Sequence, residues 1–329
     1  MSEKTESFPM TFVVLDMEWN QPIPYIPSPV DPKELPGEII EIGAVKLTVE
    51  SENEYHMSSP FSILVRPTYY RIMNKQVSRV INRSTEDLKH GLPFDAAYRS
   101  FCEWCGEDYI LCAWGDSDIS ILRSNLKIHN MPIEMNDRFL DIQPLFGRIS
   151  ENTSQQRSVA YAVDFYRIPQ TNDFHSADKD AYYEARILKE TLIDYFSISK
   201  KEGTSATPQL RFFISNPNLT MQTRWKSKTC HSEKEAVAAA IQEKMHCPIC
   251  TQPLEAIIDW FTTGHTSLSL WQCPVHNSLS GKVRVKKTPS QEFYGSGQLR
   301  FVNGNAARYV REKWEEKLTG NCEQKCEQM

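Results

Sequence analysis

No apolar stretch in this 329-residue chain approaches the roughly 18 residues needed to cross a bilayer, so a membrane partner is not expected. The opening MSEKTESFPM is polar and lacks the apolar core of a secretion signal. A disulfide framework is missing as well. Nine cysteines, an odd number, are scattered along a long chain and do not read as paired bridges. The expectation is a reducing, cytoplasmic setting, with a few cysteines left for metal. No internal repeat and no low-complexity tract interrupts the chain, which excludes solenoids and compositionally biased disorder.

What remains is an ordinary globular composition, 40% hydrophobic and 24% charged, long enough for two domains. The net charge of −5 is unevenly spread. Residues 1–207 hold 21 basic and 31 acidic side chains, whereas residues 208–329 hold 16 and 11. Acidic side chains gather where cations are bound and basic ones where phosphates are bound, so the two halves suggest different jobs.

Three stretches rich in Val, Ile and Phe read as strands: FVVLDMEW at 12–19, a run over 38–48 that opens EIIEIGAVKL, and FSILVR at 61–66. The insert NQPIPYIPSPVDPKELPG carries six prolines and reads as a loop. FDAAYRSFCEWC (94–105) places Phe94, Ala97, Tyr98, Phe101, Cys102 and Cys105 at helical spacing. YILCAW (109–114) reads as a further strand and SDISILRSNLKIH as a helix. In DKDAYYEARILKETLIDYF (178–196) a stripe of Ala181, Ala185, Leu188, Leu192 and Phe196 predicts another helix. Strands first, then helices alternating with a strand, predict an α/β layer fold with a mixed sheet. SKKEGTSATP (199–208) is polar, contains Gly, Ser and Pro, and reads as a linker. The expected organisation is a domain over 10–198, the linker, a second domain over 209–320 and a polar tail over 321–329. LRFFIS at 210–215 is strand-like, and SEKEAVAAAIQEKM predicts a helix opened by a capping box of Ser232 and Glu235.

The first strand ends unusually, with Asp16 and Glu18 two residues apart. In an extended strand such side chains share a face, while Met17 points away. Like charges so close repel strongly unless a cation lies between them, and hard divalent ions such as Mg²⁺ take such oxygen ligands. Downstream, AWGDSDISIL places Asp118 at a helix start, with Asp116 competing for the same role. HSADKDAYY places His175 and Asp180 at another, with Asp178 competing. The set D-x-E, then an acid in W-G-x-x-D-x-x-x-L, then H-x(4)-D, resembles the DEDDh family of 3′–5′ exonucleases. That family includes RNase T, the polymerase proofreading subunit and the Eri-type exoribonucleases. GEIIEIGAVKL is also similar to the family's second strand, and the match covers roughly residues 10–197.

The resemblance implies a ribonuclease H-like fold, a mixed five-stranded sheet with helices on both faces. It implies two Mg²⁺ or Mn²⁺ ions held by Asp16, Glu18, Asp118 and Asp180, with His175 as general base on the attacking water. Family spacing favours Asp118 over Asp116 and Asp180 over Asp178. Asp16 is then expected to bridge both ions, Glu18 to serve the leaving-group side and Asp180 the nucleophile side, with Asp118 acting through water. Residues placed like Met17 and Trp19 often touch the terminal nucleotide in this family. The implied activity is release of 5′-mononucleotides from nucleic-acid 3′ ends, and the Eri-type similarity favours RNA over DNA.

In the second half, CPIC (247–250) is followed after 22 residues by CPVH (273–276). C-x2-C with C-x2-H is a structural zinc pattern, so Cys247, Cys250, Cys273 and His276 are expected to close a tetrahedron around one Zn²⁺ in a smaller α+β domain. GKVRVKK comes next. As a strand it turns Lys282, Arg284 and Lys286 to one side, a spacing suited to a phosphate backbone or to a charged, protected sheet edge. Trp260, Phe261, Trp271, Phe293 and Tyr294 are the nearby aromatics, for stacking or for core. Two other readings stay open: a nucleic-acid-binding module without nuclease activity, and an interaction protein whose zinc domain holds a protein partner.

Overall fold

The computed structural model describes residues 8–132, 135–153, 155–170, 176–202, 210, 213–219, 222–241, 245–276, 278–302, 307, 309–311 and 313–318. The chain divides into two compact units, residues 1–210 and 211–329.

In the first unit the order is β1 (Met10–Asn20), β2 (Glu38–Ser51), β3 (Glu54–Met57), β4 (Phe61–Arg66), α1 (Lys75–Ile81), α2 (Thr85–Leu88), β5 (Leu92–Pro93) and α3 (Phe94–Cys105). Then come β6 (Ile110–Ala113), α4 (Ser117–Ile128), β7 (Phe139–Asp141), α5 (Ile142–Ser150), α6 (Val159–Phe165) and α7 (Ala177–Glu202). The strands lie in the order β5-β4-β2-β1-β6-β7, with β3 beside β2. β1 pairs antiparallel with β2 and parallel with β6, so the sheet is mixed. Seven of its strands fall within residues 1–210, where five were expected. The surplus has a simple cause. β3 is a short polar EYHM that turns back along the end of β2, and β5 is two residues long, so neither carries an apolar run.

β1 lies inside the sheet and is covered on both faces, which is why Phe12–Leu15 is a continuous apolar run rather than an alternation. On one face α3 and α4 pack Phe94, Ala97, Phe101, Ile119, Leu122 and Leu126 against Val13, Leu15 and Met17. On the other lies α7, which contacts β1 and β2 and buries Ala181, Ala185, Leu188, Leu192 and Phe196. Cys102 is exposed rather than part of the α3 stripe, because it falls at the edge of the arc that Phe94, Phe101 and Cys105 define.

Buried asparagines fasten the ends of the proline-rich loop. Asn20 Nδ2 donates to the carbonyls of Tyr70 and Ile72 (2.7 and 2.9 Å), and Asn125 accepts from Ile39 N–H (3.1 Å) while donating to Gly37 O (2.9 Å). α7 continues to Glu202, so the linker expected from Ser199 begins as helix; residues 203–209 lie outside the described set.

The second unit contains β8 (Ile214–Ser215), β9 (Gln222–Lys226), α8 (Glu233–Ala240), β10 (Glu255–Thr263), β11 (Thr266–Gln272), β12 (Ser278–Lys287) and β13 (Phe293–Phe301). Of LRFFIS only Ile214 and Ser215 are strand, and residues 211 and 212 are outside the described set. Five antiparallel strands form its sheet in the order β10-β11-β12-β13-β9. Ser232 caps α8 by accepting from Glu235 N–H at 3.2 Å. The helix ends at Ala240, earlier than its sequence pattern.

Candidate active site

The pleat of β1 turns Asp16 and Glu18 toward the α7 face. Immediately after Glu18 the register slips: Glu18 lies opposite Glu41, but Trp19 lies opposite Ile39. Such a bulge beside the second acid ends the regular ladder and re-aims the end of the strand. Opposite Asp16 stands Gly43. A Cβ there would lie 2.0 Å from the Ala177 carbonyl carbon and 2.2 Å from Asp178 N. Only a residue without a side chain lets the first turn of α7 press onto the strand pair, and that contact delivers Asp180. The ligand atoms of Asp16, Glu18 and Asp180 lie within 4.8 Å of one another. Within that distance two carboxylates repel by at least about 3 kcal/mol at an effective dielectric of 20.

Asp118, at the opening of α4, is only 7% exposed, and its Oδ1 accepts the Met17 backbone N–H at 3.0 Å. It therefore grips the strand between the two paired acids and stands beside the three-acid cluster rather than within its 4.8 Å span. Asp116 is exposed and makes no capping bond. Asp178 accepts from Ser176 Oγ and lies outside the cluster. His175 lies outside the described residues.

A fifth acid was not singled out from the sequence. Glu184 comes one helical turn after Asp180, is 3% exposed, and leaves Oε2 without a hydrogen-bond partner, while the Trp114 backbone N–H donates to its carboxylate. Its signal was the four-residue spacing from Asp180, which puts both acids on the sheet side of α7.

Burial is the main cause that raises the proton affinity of these carboxyls. It raises Glu18 to about 7, with Asp180, Glu41 and Asp118 adding repulsion. Asp118 also rises to about 7 by burial, opposed by the Met17 N–H. Asp16 and Glu184 are pushed well above the carboxylate range, first by burial and then by the neighbouring acids. A site that packs this much negative charge under low solvation is built for cations. Ligand atoms on opposite sides of one Mg²⁺ lie about 4.2 Å apart, so three carboxylates within 4.8 Å of one another are close enough to share a divalent ion.

The two residues flanking the acids point elsewhere. Met17 is 2% exposed and packs in the core beneath α3 and α4, so its side chain is not a nucleotide contact; the pleat that aims Asp16 outward aims Met17 inward. Trp19 is half-buried, packs against the same cluster, and lies so close to Gly37 that a Cβ there would fall 2.3 Å from its ring.

In the second unit Cys247, Cys250, Cys273 and His276 bring their ligand atoms within 4.8 Å of one another. His276 Nδ1 is 3.5 Å from the sulfurs of Cys247 and Cys273, and the Cys250 and Cys273 sulfurs are 3.6 Å apart. Zinc bonds of about 2.3 Å to sulfur and about 2.05 Å to nitrogen give tetrahedral edges of about 3.8 Å (S···S) and about 3.6 Å (S···N). The three edges given by these contacts match those values to within about 0.2 Å, so the four side chains fit such an ion. Backbone N–H groups of Cys250 and Ile249 point at the Cys247 sulfur, and those of His276 and Val275 at the Cys273 sulfur. Burial opposes ionisation of Cys273, yet these donors and the His276 ring bring its thiol down to about 6.

Lys282, Arg284 and Lys286 share one face of β12. Of the aromatics in this unit, Phe261 and Trp271 are core.

Residues 13–188, more than half of the chain, match the family model RNase_T, described as exonuclease. Among curated proteins nothing matches. Solved structures are similar at low identity. The nuclease domain of 3′hExo, a DEDDh family member bound to rAMP, is 16% identical over 58% of this chain and 95% of its own, with a TM-score of 0.49. Cell-death related nuclease 4 (CRN-4) is 17% identical over 55% and 63%, TM-score 0.45. S. pombe Pop2p in its Mg²⁺- and Mn²⁺-bound form is 14% identical over 62% and 87%, TM-score 0.41. With its D-x-E, downstream acid and H-x(4)-D set lying inside the matched span, the chain belongs to the RNase_T exonuclease family and is a DEDDh-type 3′–5′ exonuclease.

Proposed function

We propose that the protein removes nucleotides one at a time from the 3′ ends of RNA, releasing 5′-mononucleotides, with two Mg²⁺ or Mn²⁺ ions at Asp16, Glu18, Asp118 and Asp180. The convergence of Asp16, Glu18 and Asp180 within 4.8 Å, beneath a close-packed helix start, carries this reading. Bound divalent ions supply charge neutralisation of the phosphodiester and acidification of a water.

The chain's own residues do the rest. Asp16, clustered with Glu18 and Asp180, offers carboxylate oxygens to both sides of the site. Asp118, through the Met17 N–H, holds the strand so that both β1 acids keep one orientation. His175 takes the proton of the attacking water, which suits an imidazole titrating near neutrality. The bond between phosphorus and the 3′ oxygen breaks as the water oxygen bonds to phosphorus, and the shortened chain leaves with a 3′ hydroxyl. The preference for RNA rests on the likeness of the motif set to the Eri-type enzymes. In the second unit, Cys247, Cys250, Cys273 and His276 hold one structural Zn²⁺.

The test is digestion of matched 3′-labelled RNA and DNA in Mg²⁺, in Mn²⁺ and without either. Mononucleotide release from RNA that requires a divalent ion and disappears in Asp16→Ala is the expected result. Release that survives Asp16→Ala refutes the acid assignment, and equal release from DNA refutes the RNA preference.

A further inference from the structure

The outer face of the second unit's sheet carries more charge than β12 alone. Antiparallel partners share a face, and the register sets Lys282 opposite Gln298 and Gln298 opposite Arg224. Likewise Arg284 faces Ser296 and Ser296 faces Lys226, while Arg300 pairs with Gln222. Six cations, Arg224, Lys226, Lys282, Arg284, Lys286 and Arg300, therefore occupy one side of β12, β13 and β9. They cannot turn inward. The alternate positions Leu279, Val283 and Leu299 are buried, and a Cβ on Gly295 would lie 2.3 Å from the Ala240 Cβ of α8. Among the described residues none of the six is ion-paired. The Lys282 ammonium is pushed below its ordinary value by partial burial and then by Arg284 and Arg300, so the charges on this face work on one another rather than on acids.

Five of the cations form two rows, on β12 and on β9, and Arg300 stands on β13 between them. Successive outward residues on a strand are about 6.8 Å apart, and β12 and β9, with β13 between them, lie about 9.5 Å apart. Between the rows, β13 presents the neutral Ser296 and Gln298, with Arg300 two residues further along. A hollow of about 260 Å³ is lined by Arg224, Lys282, Arg284, Lys286, Ser296 and Gln298. A second hollow of about 130 Å³ shares Lys282 and Gln298 and adds Arg300, Tyr309 and Val310. The β10–β11 half of the same face is roofed: Val310 is buried with Phe261 and Leu268, and the Trp314 ring stands 5.1 Å from that of Phe261. Val310 thus anchors its neighbour Tyr309, which stays 52% exposed at the end of the cationic channel.

We infer that this channel is a binding site for single-stranded nucleic acid, the backbone lying between the two cation rows and one base stacked on Tyr309. The proposal deepens the nucleic-acid reading above and rests on it for the identity of the polymer. Paired rows of unneutralised cations suit a chain of phosphates, and an exposed ring at the channel end suits an unstacked base. An acidic protein segment would satisfy the cations but leave Tyr309 without a role. A duplex keeps its bases stacked inside and would also leave Tyr309 idle.

The test uses the full chain with Asp16→Asn to suppress digestion, zinc retained and no chelator, and a 5′-fluorescent single strand of about 20 nucleotides. Anisotropy should show tighter binding of the single strand than of the duplex. Lys282→Gln with Arg284→Gln should weaken it at least tenfold and flatten the log–log salt dependence by about 1.4, at about 0.7 for each phosphate no longer neutralised. Tyr309→Ala should weaken it by about 5- to 150-fold, with Tyr309→Phe unchanged. Unaltered affinity in the double variant, preference for duplex, or competition by polyglutamate as effective as by oligonucleotide would each overturn the proposal. Failure here is separable from failure of the catalytic reading. Binding is read in the Asp16→Asn background, where nothing is digested, and mononucleotide release is read with Asp16 restored, so loss of release with binding intact would count against the exonuclease site alone.

Discussion

Metal-free, the acid cluster should make the first unit less stable as pH rises, which is the reverse of ordinary acid denaturation. Glu18 carries its carboxyl at about 7 in the folded chain, against an ordinary value of 4.5. A raised folded-state value means the native protein binds the proton more tightly than the unfolded chain does. Below about 4 both states are protonated and nothing is lost. Through the window up to about 7 the unfolded chain ionises first, so stability falls, and above it the whole penalty is present. For Glu18 alone the difference corresponds to about 3 kcal/mol. Asp118, also raised to about 7, shares the same repulsion, so the two do not simply add. In a unit of this size 1 kcal/mol moves Tm by about 2–4 °C, so the Glu18 effect alone is worth about 6–12 °C.

Calorimetry of the full chain between about pH 5 and 8, in magnesium-free buffer without chelator so that zinc stays, should show one transition falling with pH by at least that amount. Asp16→Asn and Glu184→Gln should each flatten the slope by removing one buried charge. Added Mg²⁺ binds the ionised carboxylates, so it should raise this transition far more at pH 8 than at pH 5. A Tm that is flat or rising with pH, or a Mg²⁺ response equal at both pH values, would show that these acids are not held together as described.

The packing dictates two other outcomes. Gly43→Ala places a carbon 2.0 Å from the Ala177 backbone, so α7 must lift. Mononucleotide release should fall at least tenfold, and the protein should lose several degrees of Tm; a fully active variant would refute the close-approach argument. Removing zinc, by chelation or by Cys247→Ser, should unfold the second unit while leaving the pH-dependent transition of the first in place. That is read by zinc analysis (one ion per chain in the parent) alongside calorimetry, and a second-unit transition indifferent to chelator would exclude a structural metal.

Much of the first unit was legible because its signals are local. A two-residue spacing fixes which side chains share a strand face, so the pleat alone sets Asp16 with Glu18 and turns Met17 the other way. The stripe on α7 and the apolar run of β1 are likewise statements about one element each. What escaped is what depends on contacts between elements. β3 and β5 are strands only because β2 and β4 lie beside them. The extent of α7 past Ser199 was hidden by a composition that suits linkers as well as a solvated helix end.

Glu184 and Gly43 show the limit more sharply, because each was visible and neither was informative until the helix was set on the sheet. A glutamate on an amphipathic helix is usually surface charge. It becomes a fifth acid of the site only because α7 rolls its Asp180 side onto β1, and α7 can do so only where Gly43 offers no side chain opposite Asp16. The same logic separates the two cation readings of β12. Three basic residues alternating with valine describe a guarded sheet edge as well as a phosphate track. β12 is not at an edge: β11 and β13 pair with it on either side, and β13 and β9 extend its cationic face. An interior strand has no edge to guard, so its lysines and arginines are left to act on something outside the chain.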